Sequence, residues 1–410
     1  MWKIYGKIYD LSDFLNKHPG GPSILKACKG NDDLTASFES YHAFSDMEKI
    51  KKIMKKYEIG ECNQKPMVFF KSNNFYKTLQ KRVRKVLNNT KSDLWFFLKV
   101  IIQIFIFFYS FSISFYFHSV NIYYRILSSI IAGNMLFQVG FNLLHDASHM
   151  AISKNHFINE VILNIWSSIM LWDAQKWLQH HVIRHHAFTG DTEMDPDIIH
   201  LKPFIRKSSK ISNKKYLKFV KYCPMLTTIF STCIFPGMAI GQSFLYNFLW
   251  KKWLWKIKLS EYYKVSIYQT IIKLFILFSF IYGGSFLIFF TYALSQNITY
   301  AICILPDHDT FETNQNHAEY VKDKDWGEIQ VRNSANFCNQ ISLFCNLFGG
   351  INYQIEHHLF PSLCHIHLPK IKPIVMQTCK EFNIPYIHHE NIFDAIYSTL
   401  KHYSEVIKEG

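Results

Sequence analysis

Twenty histidines in a chain of 410 residues are the first feature with chemical consequences, because imidazole is the side-chain donor that suits iron, copper, nickel and zinc alike. Three clusters stand out. In His145-Asp146-Ala147-Ser148-His149, the two histidines lie one helical turn apart on one face, so both rings can reach one metal ion. His181-Val182-Ile183-Arg184-His185-His186 is the second and Gln354-Ile355-Glu356-His357-His358 the third. On a helix, His185 and His186 diverge by about a quarter turn, so they serve different ions of a pair or approach from a bent segment. No thiolate or acidic cluster competes with them. His365/His367 and His388/His389 are expected to be surface decoration, and His180 and His200 belong to the same ordinary class.

A separate pair sits near the start. His18-Pro19-Gly20-Gly21 is followed 24 residues later by His42. Two axial imidazoles can hold a haem iron between them with no open position, an arrangement suited to electron transfer rather than oxygen binding.

The elements that must position these residues follow from composition. Half-apolar overall (49%), with 17% aromatic and only 19% charged residues, the chain is too rich in apolar runs for a single soluble globule or a disordered class. Residues 1–61 are polar and read as a small domain, with a strand over 3–9 and Ser12 as a helix cap. Residues 62–92 form a basic connector that sets the reach of this domain. Apolar runs over 94–117 and 126–144 make one membrane hairpin, and 264–281 with 285–305 make a second, each run long enough to cross ~30 Å of hydrocarbon. Hydropathy alone gives 222–250 as a further span. If the second and third clusters share one site, an even number of crossings must separate them, so 222–250 is expected to be re-entrant or interfacial.

Net charge is +14, and the lysines flank the apolar runs rather than a nucleic-acid motif. This places the connector, the lysine-rich stretches 202–221 and 251–264 and all histidine clusters on the cytosolic side, and excludes nucleic acid as a partner. Nine cysteines without a C-x-x-C pair exclude a zinc ribbon or a secreted disulfide framework. The segment Met1–Asp10 lacks the apolar core of a cleaved signal peptide.

Gly6-Lys7-Ile8-Tyr9-Asp10-Leu11-Ser12-Asp13-Phe14-Leu15 and Asp32-Asp33-Leu34-Thr35-Ala36-Ser37-Phe38, around the first histidine pair, closely resemble the cytochrome b5 family. That resemblance makes His18 and His42 the ligands of haem b. Family members usually carry a further strand and helix ahead of Trp2-Lys3-Ile4, so the domain is expected to be N-terminally truncated. The three clusters resemble the histidine boxes of membrane fatty-acid desaturases, and Gln354 in place of the first histidine of box three resembles the front-end subfamily. Gly349-Gly350-Ile351-Asn352-Tyr353 before that box, Leu359-Phe360-Pro361 after it, Asp325-Trp326-Gly327-Glu328 and Thr189 with Asp195-Pro196-Asp197 agree. Gly190 stands where front-end members often have Asn.

The resemblance implies a mainly α fold: a small α+β haem domain, 1–61, joined by 62–92 to a four-helix transmembrane di-iron domain with a cytosolic helical cap, 93–410. It implies His145, His149, His181, His185, His186, His357 and His358 as ligands of two non-haem irons. Related enzymes draw another ligand from the cytosolic end of the fourth span, where His308 stands just after Pro306, a residue expected to stop that helix or bend the chain at the membrane surface. Gln354 is a further ligand or lies immediately behind the ligands. The implied reaction is an O₂-dependent insertion of a cis double bond between an existing one and the carboxyl end of a polyunsaturated acyl lipid or acyl-CoA, in the endoplasmic reticulum membrane. Electrons come from NADH or NADPH through cytochrome b5 reductase and the haem. The three residues between His181 and His185 resemble the spacing of some delta-4 and delta-5 enzymes. A delta-8 sphingolipid long-chain-base desaturase is the nearest alternative, and a non-catalytic membrane haemoprotein an alternative of another class.

Overall fold

The computed structural model describes residues 1–62, 67–70, 74–198, 205–212, 253–254, 257–258, 260–320 and 324–408. The expectations for 222–250 and for His200 therefore lie outside the described residues.

Both ends of the first 61 residues meet in one antiparallel sheet of three strands, β1 (Trp2–Ile4), β2 (Lys7–Tyr9) and β3 (Glu58–Glu61), in that order. Between β2 and β3 the chain forms α1 (Pro22–Cys28), α2 (Thr35–Tyr41) and α3 (Met47–Met54). Pro22 opens α1, where its missing N–H costs nothing, and the Asp46 carboxylate accepts the N–H groups of Glu48 and Lys49 to start α3. Trp2, Ile4, Tyr9, Leu34 and Phe38 are buried between sheet and helices.

The connector is not a free tether. It contains α4 (Phe75–Val86), whose Phe75, Tyr76, Leu79 and Val83 recur at helical spacing and are buried, while Lys81, Arg84 and Lys85 face out. Tyr76 donates to the Leu359 carbonyl at 2.9 Å and Arg82 pairs with Glu381 at 2.6 Å. The apolar face of α4 thus fixes the reach that the connector sets.

Next come α5 (Leu94–Phe115), α6 (Ile122–Gly140) and α7 (His156–Ile169), and later α8 (Ile267–Tyr282) and α9 (Phe286–His308). Asp93, Asn121, Ser266 and Ser285 cap α5, α6, α8 and α9 by accepting N–H groups of their first turns. Three helices are long and apolar enough to cross a membrane, Leu94–Phe115, Ile122–Ser148 and Phe286–Gln315. With 16 residues, α8 rises only about 24 Å, shorter than the span expected there. Helix α6 packs against both α5 and α9. A Cβ on Gly133 of α6 would stand 2.2 Å from the Tyr292 carbonyl of α9, so only glycine permits this approach. Arg125 at the start of α6 donates to the carbonyls of Ser114, at the end of α5, and Gly283, in the α8–α9 turn, each at 3.0 Å. The turns of both hairpins are thereby tied together at the end opposite the histidines. Pro306 does not end α9, which continues to His308. In the last turn proline forfeits a single bond, to the Ile302 carbonyl, and Asp309 N–H closes the turn on Leu305 at 3.2 Å.

At the histidine end, α10 (Trp326–Arg332), α11 (Gln354–Leu359), α12 (Leu368–Glu381) and α13 (Ile392–Lys408) form a cap. Trp326, Leu359, Phe360, Ile371 and Val375 bury themselves there with the apolar face of α4.

Candidate metal centre

Wide helical turns shape the centre. After α6 the chain passes through a π-helical turn, Phe141–His145, and a second π segment covers Leu178–His185. Such i→i+5 turns commonly mark functional sites. In the second, His186 N–H bonds the His181 carbonyl at 3.1 Å, so these residues come one above the other and His185 turns aside. A regular helix would not stack the two, which is why a quarter-turn argument catches the divergence of His185 and His186 but not the pairing of His181 with His186.

The result is two adjacent groups. His145, His149, His181, His186 and His357 have nitrogens within 4.8 Å of one another, and so have His185, His308 and His358. All but the half-buried His308 are buried. The groups touch where the His186 and His358 rings stack, 4.2 Å between centroids. Nε2 of His186 lies 3.2 Å from that of His181 and 3.1 Å from that of His357. Two nitrogens each about 2.1 Å from one ion and at right angles stand about 3 Å apart, so the spacing fits a metal. Both nitrogens of His145 and Nε2 of His149 are buried without a hydrogen-bond partner, a need that a metal ion would satisfy. Burial first, and neighbouring histidines second, hold His181, His186, His357 and His358 far below the usual imidazole range, hence neutral, as ligation requires.

Gln354 places its amide nitrogen 2.8 Å from His308 Nε2 and 3.1 Å from His358 Nε2, with its Oε1 buried and unpaired. A half rotation of the amide turns its oxygen to the same point. The far ring nitrogens of the second group are all held. His308 donates to the Asn333 carbonyl at 2.8 Å, His358 to Gln330 Oε1 at 2.9 Å, and His185 to Asp195 at 3.1 Å. Burial depresses His185, but Asp197 and Asp195 outweigh it and raise its pKa to about 9. Gly190, between these partners, has φ +83°, and a Cβ there would stand 2.9 Å from Asn333 Nδ2; glycine meets both demands.

Several histidines expected at the surface are not there. His365 is buried and donates to Asp146 Oδ2 at 2.8 Å, Nε2 of buried His367 lies 2.8 Å from the Lys91 carbonyl, and His180 pairs with Asp197 at 2.5 Å. His388 and His389 form a half-buried two-residue strand beside Asn336–Phe337. Apolar sequence around His365 was the signal for burial, since Leu363 and Leu368 flank it and both are buried. The outer partners Gln330 and Asn333 lie in no histidine motif, and only folding brings them in.

In the N-terminal domain, His18 and His42 face each other with ring centroids 6.1 Å apart. Their Nδ1 atoms approach the Gly21 and Phe38 carbonyls at 3.3 and 2.7 Å, leaving Nε2 free on both. An iron between two imidazoles at about 2 Å from each nitrogen fits that gap. Burial, then His42, pulls the pKa of His18 down to about 4. This domain sits directly on the body that carries the histidine groups: Gln179 donates to the Ala27 carbonyl, Arg184 lies 3.7 Å from Asp32, and Lys29 pairs with Glu261 at 2.5 Å.

The sequence pattern of the family described as fatty acid desaturase matches residues 121–390, and that of the cytochrome b5-like heme/steroid binding domain matches residues 1–63. The chain is similar to the acyl-lipid (8-3)-desaturase of Mortierella alpina, 26% identical with 97% of this chain and 92% of the relative covered. It is likewise similar to the Delta(5) fatty acid desaturase A of Dictyostelium discoideum, 26% identical over 97% and 89%, and to the acyl-lipid (7-3)-desaturase of Rebecca salina, 26% over 96% and 88%.

Proposed function

The chain belongs to the fatty acid desaturase family, and on that premise we propose that it inserts a cis double bond between an existing double bond and the carboxyl end of a long polyunsaturated acyl lipid or acyl-CoA. The observation that carries this reading is the meeting of eight histidines in two adjacent groups at the end of the apolar helices. His145, His149, His181, His186 and His357 would hold one non-haem iron, and His185, His308 and His358, with Gln354 through its oxygen or from just behind, the other. A pair of irons supplies the oxygen chemistry needed to break an unactivated C–H bond, which no side-chain acid or base can do. The protein's own part is geometric. In the second group a carboxylate, a backbone carbonyl and an amide hold the rings of His185, His308 and His358 by Nδ1, so that Nε2 faces inward, and burial of the histidines would keep water from the reacting carbons.

His18 and His42 would hold haem b, with O₂ as co-substrate and electrons arriving from NADH or NADPH through cytochrome b5 reductase. The names of the relatives, (8-3), Delta(5) and (7-3), agree with the three-residue spacing of His181 and His185 in favouring a delta-5 or delta-4 position. The lysine distribution supports both metal sites facing the cytosol, and the family resemblance supports the endoplasmic reticulum as the membrane. Expression in yeast, with and without added C20 and C22 polyunsaturated acids, tests the reading. A new double bond on the carboxyl side of the fed acid is the expected product, and a desaturated long-chain base in unfed cells would replace the acyl reading with the sphingolipid one.

A further inference from the structure

Helix α2 ends in Tyr41, the residue immediately before His42, and its side chain leaves the N-terminal domain altogether. Its hydroxyl lies 2.5 Å from Nδ1 of His149, and the two rings lie nearly parallel, 14° apart with centroids separated by 5.9 Å. The other nitrogen of His149 is buried without a partner and belongs to the five-histidine group. For Nε2 to bind a metal ion the neutral ring must carry its proton on Nδ1, so the Tyr41 oxygen accepts that hydrogen. No other hydrogen bond holds His149 by its side chain among the described contacts. In the second group the same duty falls to residues of the desaturase body, Asp195, Asn333 and Gln330.

We propose that Tyr41 is a positioning residue of the non-haem metal centre supplied by the N-terminal domain, so that this domain, when docked, forms part of the centre rather than a carrier that visits it. The inference rests on the proposed iron site. Gln179 to Ala27 and Lys29 to Glu261 hold the docked pose from the flanks of the contact. The coupling must be reciprocal: whatever Tyr41 contributes to iron binding, iron binding contributes to docking.

The test is Tyr41→Phe in the full-length, detergent-solubilised protein, which keeps the ring and removes the acceptor. Loss of an outer hydrogen-bond partner of this kind weakens metal binding about 10–100-fold. The expected result is a loss of non-haem iron to a competing chelator at correspondingly lower chelator concentration, with the haem absorbance unchanged. Iron retention equal to the parent's would overturn the proposal. Should Tyr41→Phe fail to accumulate, the unmutated protein provides the second measurement. Amide exchange in 35–41 should accelerate when a chelator strips its non-haem iron, and unchanged exchange there would overturn the proposal equally. If the unmutated protein holds no non-haem iron at all, it is the desaturase reading that fails, an outcome distinct from either.

Discussion

Five histidines converge in the first group and only three, with Gln354, in the second, yet the second is the more heavily fastened. His185 is held by Asp195 and, at 3.5 Å, Asp197; His308 by the Asn333 backbone; His358 by Gln330, with the Thr189 hydroxyl 3.0 Å away. Gln330 is itself anchored by Tyr320 at 2.9 Å. In the first group Asp146 stands 3.7 Å from His145, His181 rests on the Trp177 ring 4.3 Å away, and Nδ1 of His186 is unpaired. Where imidazoles are many, mutual convergence orders them. Where they are few, each ring must be fixed from behind, because no neighbour compensates for a misplaced one.

The comparison can be broken most severely from inside the first group. His149→Ala or His186→Ala should bring the acyl product below detection in the yeast assay while the protein remains in the membrane, and the double variant should be no worse, since the residues act as one unit. Product persisting in either single variant would remove that residue from the ligand set. In the second group, His308→Ala and Gln354→Ala should each lose about half of the non-haem iron, the share of one of two ions, with the haem spectrum intact. Full iron loading in His308→Ala would return it to the role of a helix-end residue. A smaller effect is expected behind the ligands: Asp195→Asn keeps the shape but loses the charge that holds His185, and should weaken iron retention about 10–100-fold. An Asp195→Asn enzyme indistinguishable from the parent in chelator titration would show that the fastening is dispensable.

What could be read before folding divides along the same line. The box histidines were legible because their spacing repeats at helical intervals beside apolar runs, and α5, α6 and α9 because long apolar stretches with a single charged residue each have few other uses. His308 was found only by pairing its position at a helix end with the resemblance. The π turns at 141–145 and 178–185 leave no mark in the sequence that separates them from α-helix, so the pairing of His181 with His186 was out of reach, although the divergence of His185 from His186 was not. The same holds for Asn333, Gln330 and Tyr41, whose roles arise from contacts between segments distant in the chain. The connector misled because its basic residues hid the apolar stripe of α4.

The mildest test concerns Glu356, which lies inside the third box yet points away from the metal groups. It is fully buried; its carboxyl accepts from Asn336 Nδ2 and from the Tyr386 hydroxyl, each at 2.7 Å. Burial outweighs both bonds and raises its pKa from 4.5 to about 7. A carboxyl whose folded pKa is raised binds its proton more tightly in the folded state, so its contribution is most favourable below pH 4.5 and declines as pH rises to about 7. Above that range both states are ionised and the penalty is constant. Glu356→Gln removes the titration; its amide sets a donor near Asn336, which adds an offset independent of pH. The expected readout is therefore the slope. Thermal unfolding of the solubilised parent should show Tm falling relative to Glu356→Gln as pH climbs from 4.5 to 7, with the difference level above 7. Parallel Tm curves across that interval would mean that Glu356 is already ionised in the folded protein and that Asn336 and Tyr386 suffice to hold the charge.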